Sequence, residues 1–228
     1  QMSGWTAPKD VILYVAGKLS VSGGTNSIIE YFGEGTKSIS CTGKATITNM
    51  GAELGATTSV FPYDDRMSKY LKSTGRSELA KLADSNQDLL RPDKETEENP
   101  EAFFDHVVEI DLSKLEPHVA GPHSPDRVSP IPQLINEVND EKNGFVEKID
   151  TALIGSCTNS SYEDKSRVAD VAQQATEHGL KSAASLMVTP GSEQVRSTIE
   201  RDGQLATLQE IDSVTLANAC GPCIGQWD

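Results

Sequence analysis

Lys148-Ile149-Asp150-Thr151-Ala152-Leu153-Ile154-Gly155-Ser156-Cys157-Thr158-Asn159-Ser160-Ser161-Tyr162 is the stretch on which the fold turns. Residues 148–154 carry the apolar and β-branched side chains of a strand. Gly155 ends that run, small polar residues follow, and residues 162–178 take up the spacing of a helix. A strand, a tight turn and a helix in this order open a βαβ unit. The pattern then repeats outward: a strand at 184–188, helices at 192–201 and 202–210, and a strand at 213–217. Strands alternating with helices of this length predict a parallel sheet, so the fold class is α/β.

The first half is read in the same way. Val11, Ile12, Val15, Ala16 and Leu19 predict a helix over 8–19. Residues 27–32 and 59–61 are short strand candidates, bounded by glycines and by Pro62. Between them, Ile47, Met50 and Leu54 recur at helical intervals among small residues, which predicts a closely packed buried helix. Helices are expected at 64–73 and 76–84, a solvated acidic insertion at 91–101, and a strand at 107–112. Five prolines between 117 and 132 mark a candidate domain junction. The expected organisation is two α/β/α-type units with mostly parallel sheets, 1–118 and 119–228, the second truncated. The chain opens at Gln1 with no targeting signal and stops five residues after Cys223, which reads as an interior segment of a longer polypeptide.

Composition narrows the function. Hydrophobic residues make up 36%, and no apolar run reaches the roughly 20 residues that span a bilayer. With 20 basic and 34 acidic side chains the net charge is −14, the wrong sign for a surface that grips phosphates. No nucleic-acid partner and no membrane partner is expected. Four cysteines, Cys41, Cys157, Cys220 and Cys223, are too few for a disulfide scaffold. They fit a reducing compartment in which thiols do chemistry.

Three of those cysteines sit on loops that directly follow strands: Cys157 in Gly155-Ser156-Cys157-Thr158-Asn159-Ser160, and Cys220 with Cys223 in Ala217-Asn218-Ala219-Cys220-Gly221-Pro222-Cys223-Ile224-Gly225. In an open parallel sheet the carboxyl ends of the strands form the binding crevice, so both loops can converge there. Three thiolates on two loops leave four readings. They are a structural zinc site completed by Cys41 or a histidine, a redox pair of Cys220 and Cys223, plain buried cysteines, and an iron–sulfur cluster with one iron lacking a protein thiolate. Cys41 and the scattered His106, His118, His123 and His178 read as structural. Lys44, Arg66, Arg196 and Arg201 read as solvated surface charges.

The two cysteine motifs resemble the cluster-ligand motifs of the aconitase family. So do Asn49-Met50-Gly51-Ala52-Glu53-Leu54-Gly55-Ala56-Thr57-Thr58 and Thr189-Pro190-Gly191-Ser192. The likeness runs nearly end to end, interrupted at the acidic insertion and at 117–150. It resembles an interior segment of the mitochondrial-type aconitate hydratases, their second domain and the first half of their third. That resemblance implies a hydro-lyase as the parent protein. Cys157, Cys220 and Cys223 would ligate a [4Fe–4S] cluster, whose open iron binds citrate or isocitrate during dehydration and rehydration through cis-aconitate. It implies Glu53 at the exchanging water, with Asn49 close by. A carboxylate there can accept or relay a proton, and the small neighbours of Glu53 argue that it is buried. The implied partners are a tricarboxylate and the remaining domains of the parent chain. The implied compartment is the mitochondrial matrix, with the cytoplasm as the other choice. The substrate-binding arginines and serines of the family lie outside this span, so the segment alone is not expected to turn over substrate. Other readings are a homoaconitase or methylcitrate-type dehydratase paralogue, and a non-catalytic RNA-binding or structural segment.

Overall fold

The computed structural model describes residues 1–2 and 4–226. The chain folds as two compact units, 1–140 and 141–228. In the first unit, α1 (Pro8–Leu19) is the central element. Pro8 sits at its first turn, where a missing N–H costs nothing. The Asp10 carboxylate accepts from the Ala7 N–H at 2.7 Å and closes the amino end. The inner face of α1, with Val11, Ile12, Val15 and Ala16, packs with Ile39, Ile47, Leu54, Leu112 and Leu115 into one hydrophobic core. β1 (Ile28–Glu30) pairs in parallel with β2 (Thr58–Val60). Between them runs α2 (Cys41–Asn49), continued by a 3-10 turn, Met50–Leu54. Then come α3 (Asp65–Ser73), α4 (Ser77–Asp84) and the short, solvent-facing α5 (Lys94–Glu98) within the acidic insertion.

Two expectations about the elements of this unit fail. Residues 107–112 form no strand; only Leu112 of that run is buried, in the core, and the alternation finds no neighbouring ladder. The proline-rich stretch is no junction either. β3 (His118–Ala120) and β4 (Val128–Pro130) form an antiparallel hairpin that leads into α6 (Ile131–Asn139). The prolines fall at strand ends, in the hairpin turn and in the first turn of α6, the places that tolerate a missing donor. The buried Asp10 carboxylate accepts the His118 N–H at 2.7 Å and ties this hairpin to α1. Residues 119–140 therefore pack with the first unit, where the sequence had placed them with the second.

The second unit is a three-stranded parallel sheet in the order β5 (Thr151–Gly155), β6 (Ser185–Thr189), β7 (Ser213–Thr215). α7 (Tyr162–Glu177) joins the first two strands; α8 (Glu193–Arg201) and α9 (Gln204–Glu210) join the last two. Ala172, Val188 and Leu208 meet in its core. The α/β class and the mostly parallel pairing are as the sequence predicts; β3–β4 is the antiparallel exception.

α7 starts where it does because Ser161 and Asp164 cap it reciprocally. The Ser161 hydroxyl accepts the Asp164 N–H at 3.2 Å and the Asp164 carboxylate accepts the Ser161 N–H at 3.1 Å. Ser161→Ala is expected to lower the stability of this unit by about 1 kcal/mol. A urea titration followed by circular dichroism checks this, and an unchanged midpoint would show the cap to be dispensable.

Candidate metal centre

The carboxyl end of β5 is built from residues in unusual backbone conformations. Gly155 has φ +113°, Ser156 +93° and Asn159 +54°. At Gly155 this follows from close packing: a Cβ there would lie 2.0 Å from the Thr189 carbonyl oxygen and 2.6 Å from Lys165 Nζ. The turn carries the chain outward, leaving Ser156 buried and Cys157 exposed.

On the other side, Leu216 continues the sheet beyond β7 by donating its N–H to the Val188 carbonyl at 2.9 Å. The loop then reaches a 3-10 turn, Gly221–Ile224, with Pro222 buried in its first turn. Residues three apart eclipse one another on a 3-10 turn, which suits Cys220 and Cys223 to a shared site. The Cys223 thiol donates to the Cys220 carbonyl at 3.2 Å.

The Ser156 side chain bridges the two loops. The Ser156 hydroxyl lies 3.2 Å from the Ala219 carbonyl oxygen and 3.4 Å from that of Cys220. The consequence shows in the electrostatics of Cys220. Its thiol pKa is raised first by the Cys157 sulfur, then by Cys223, with burial and a Cys157 hydrogen bond contributing less. All three are exposed thiols outside any disulfide. Among the described residues, no group of three or more His, Cys, Asp and Glu side chains is already arranged around a metal position. The two thiol-bearing loops are thus held side by side through Ser156, without their thiols closing on an ion. As a donor set, soft sulfur suits zinc, copper or iron–sulfur clusters and not hard cations such as magnesium or calcium.

The residues expected at the water are in the first unit. Asn49 is the last residue of α2, and Glu53 lies in the 3-10 turn that follows. Both are exposed. The expected burial of Glu53 is corrected: Gly51 and Leu54 take the inner side of the turn, where a Cβ on Gly51 would lie 2.3 Å from Ser59 Oγ. Lys44 is corrected too. It is 2% exposed and paired with Asp64, the residue that caps α3, where the sequence suggested a solvated charge. Cys41 is half-buried, and burial pushes its thiol pKa up.

Lys165 has no place among the sequence-predicted site residues, yet it is 0% exposed. Its ammonium donates to the Ile154 carbonyl at 3.0 Å, and desolvation lowers its pKa to about 8. A signal for its burial is present in the sequence: Lys165, Ala169 and Ala172 share one face of α7 at i, i+4 and i+7.

A groove of about 700 Å³ also opens in the second unit, lined in part by Glu193, Arg196, Glu200, Thr215 and Asn218. Arg196 is paired with Glu193 at 2.9 Å, so with two glutamates against one arginine it offers no net positive charge to a tricarboxylate.

Comparison with known proteins joins the two halves of this picture. The family model for aconitase (aconitate hydratase) matches residues 1–228. A mitochondrial aconitate hydratase from Emericella nidulans is 58% identical over 228 residues, which is 100% of this chain and 28% of that protein. One from Gracilaria gracilis is 57% identical over 224 residues, covering 98% of this chain and 28% of that protein. One from Schizosaccharomyces pombe is 53% identical over 227 residues, covering 100% and 28%. The chain thus spans little more than a quarter of the length of these relatives. Membership of this family implies an iron–sulfur cofactor, the kind of group for which three neighbouring thiols are suited donors. With the match running through both units and through every motif discussed above, the chain belongs to the aconitase family.

Proposed function

We propose that this chain is the thiol-bearing part of an aconitate hydratase, a hydro-lyase that interconverts citrate and isocitrate through cis-aconitate. The single observation that carries the proposal is that the Ser156 hydroxyl ties the loop of Cys157 to the loop of Cys220 and Cys223, in a chain matched throughout by the family. On this reading, the first unit belongs to the second aconitase domain and the second unit to the start of the third. The relatives are named as mitochondrial proteins, which supports the matrix as the compartment.

Cys157, Cys220 and Cys223 would hold a [4Fe–4S] cluster. When bound, such a cluster supplies a Lewis-acidic iron without a protein thiolate, able to take a hydroxyl and a carboxylate oxygen. The chain's own contribution is positional and protic. Ser156 keeps the two thiol-bearing loops in register. The exposed Glu53 carboxylate can exchange a proton with the water that is lost from citrate and returned to cis-aconitate; the exposed Asn49 amide can donate to an oxygen of the substrate. Dehydration removes one water and rehydration restores one, so the overall reaction is an isomerisation. The positive charges that a tricarboxylate needs come from the remaining domains of the parent chain.

The test is turnover by the full-length parent protein after anaerobic reconstitution, with iron and sulfide assayed beside it. Citrate turnover is expected, with homocitrate much the poorer substrate; the reverse order would assign a paralogue. Glu53→Gln is expected to keep its iron and lose about a hundredfold in kcat. Full iron with undiminished turnover would remove Glu53 from the proton path.

A further inference from the structure

Lys165 is placed where a lysine costs most. It is fully buried, it lies in the first turn of α7, where the helix dipole disfavours a cation, and it immobilises a long side chain. The group that its ammonium bonds, at 3.0 Å, is a neutral backbone carbonyl, that of Ile154. The adjacent Asp164 supplies a longer-range attraction while its oxygens serve the Ser161 cap. A buried charge left this far uncompensated favours the unfolded chain. Departures from local rules of this kind concentrate at functional sites.

What the ammonium touches is the base of the cysteine loop. It holds the carbonyl of Ile154, three residues before Cys157, and it packs so closely on Gly155 that no Cβ fits between them. The loop beyond then carries left-handed φ values at Ser156 and Asn159. The other side of the loop is held by the Ser156 hydroxyl on the Ala219 and Cys220 carbonyls. A cluster with three thiolates is anionic, and Lys165 is a cation at the root of the loop that would carry one of them.

We propose that Lys165 is a positioning residue for the cluster: its buried ammonium clamps the end of β5, fixes the Cys157 loop, and supplies positive charge that the thiolate-bound cluster compensates. This rests on the cluster reading given above. The two roles make opposite predictions for stability and for metal retention. If Lys165 served the fold alone, removing it would change folding stability and nothing at the thiols. If it serves the loop, a neutral residue of similar length should relieve the burial cost, yet loosen the loop and its metal.

The experiment uses the full-length parent protein and its Lys165→Met variant. Three quantities are compared: the melting temperature of the metal-free protein, hydrogen exchange of the 155–160 amides in that state, and the rate of iron loss to a chelator after reconstitution. The variant is expected to melt no lower than the wild type, to exchange those amides about tenfold faster, and to lose iron about tenfold faster. Exchange and iron loss both within twofold of wild type would overturn the proposal. Should Lys165→Met not fold, Lys165→Gln takes its place; it keeps a donor for Ile154 without the charge, and is expected to speed iron loss. Unchanged iron retention in that variant would overturn the charge role. A wild-type parent that takes up no iron would overturn the cluster reading and the charge role together, while the exchange comparison still decides the clamp.

Discussion

Cys220→Ser in the parent protein is expected to abolish stable iron binding and to cut citrate turnover at least about a thousandfold, while the fold is unchanged. Cys220 is the thiol whose pKa is raised by both other sulfurs. A serine hydroxyl is a hard, largely protonated donor and a poor substitute for thiolate. Two contacts that hold the loop survive the change, because Ser156 and Cys223 are bonded to the carbonyl of Cys220 and not to its sulfur. Far-ultraviolet dichroism and the melting temperature of the metal-free variant should therefore match the wild type while iron per chain falls below about one. Cys41→Ser is the control. Its half-buried thiol belongs to the first unit, and iron binding should persist. Full iron in the Cys220 variant would assign the cluster other ligands.

Gly155→Ala is expected to destabilise the second unit by about 4 kcal/mol, roughly a thousandfold in its folding equilibrium. Two costs add. A φ of +113° lies in a region that residues with a Cβ rarely enter. The added methyl would also stand 2.0 Å from the Thr189 carbonyl oxygen, an overlap with backbone that no rotamer can relieve. Gly155 and Thr189 are register partners, so relief would require β5 and β6 to part at the end that carries Cys157. Urea unfolding of the chain, followed at the second unit by hydrogen exchange, measures the effect. A loss under 1 kcal/mol would mean that the strands separate easily.

Periodicity makes much of this fold legible. The bounds predicted for α1, 8–19, are those observed, because Pro8 marks the start and the apolar stripe runs without a break. The alternation of β5, α7, β6, α8, α9 and β7 is likewise predicted within a few residues, each strand being apolar and each helix amphipathic. Where reading fails, the deciding partner lies far along the chain. Residues 107–112 alternate like a strand, but a strand needs a ladder that no local pattern can supply. The prolines of 117–132 suggest a linker because their hairpin depends on the Asp10 carboxylate, 108 residues away from His118. Lys44 and Lys165 are buried through Asp64 and the Ile154 carbonyl, and residue type alone favours a solvated lysine. For the candidate site, the three cysteines and their loops are evident as motifs. The serine that joins those loops is not, since its hydroxyl reaches carbonyls with no sequence signature.

The bond from Ser156 to the Cys220 carbonyl spans 64 residues of sequence. In the unfolded chain Cys157 is therefore remote from the Cys220–Cys223 pair, and a nascent polypeptide presents at most a bidentate thiol ligand. On the cluster reading proposed above, the tridentate set comes into being only after β7 has joined β6 and the second loop has closed over Ser156. The same reading orders biogenesis: the sheet would have to assemble before iron could be accepted, and metal arriving earlier would meet only two thiols with weaker affinity. On that reading maturation would be gated by folding, and a bound cluster would be a record that folding was completed.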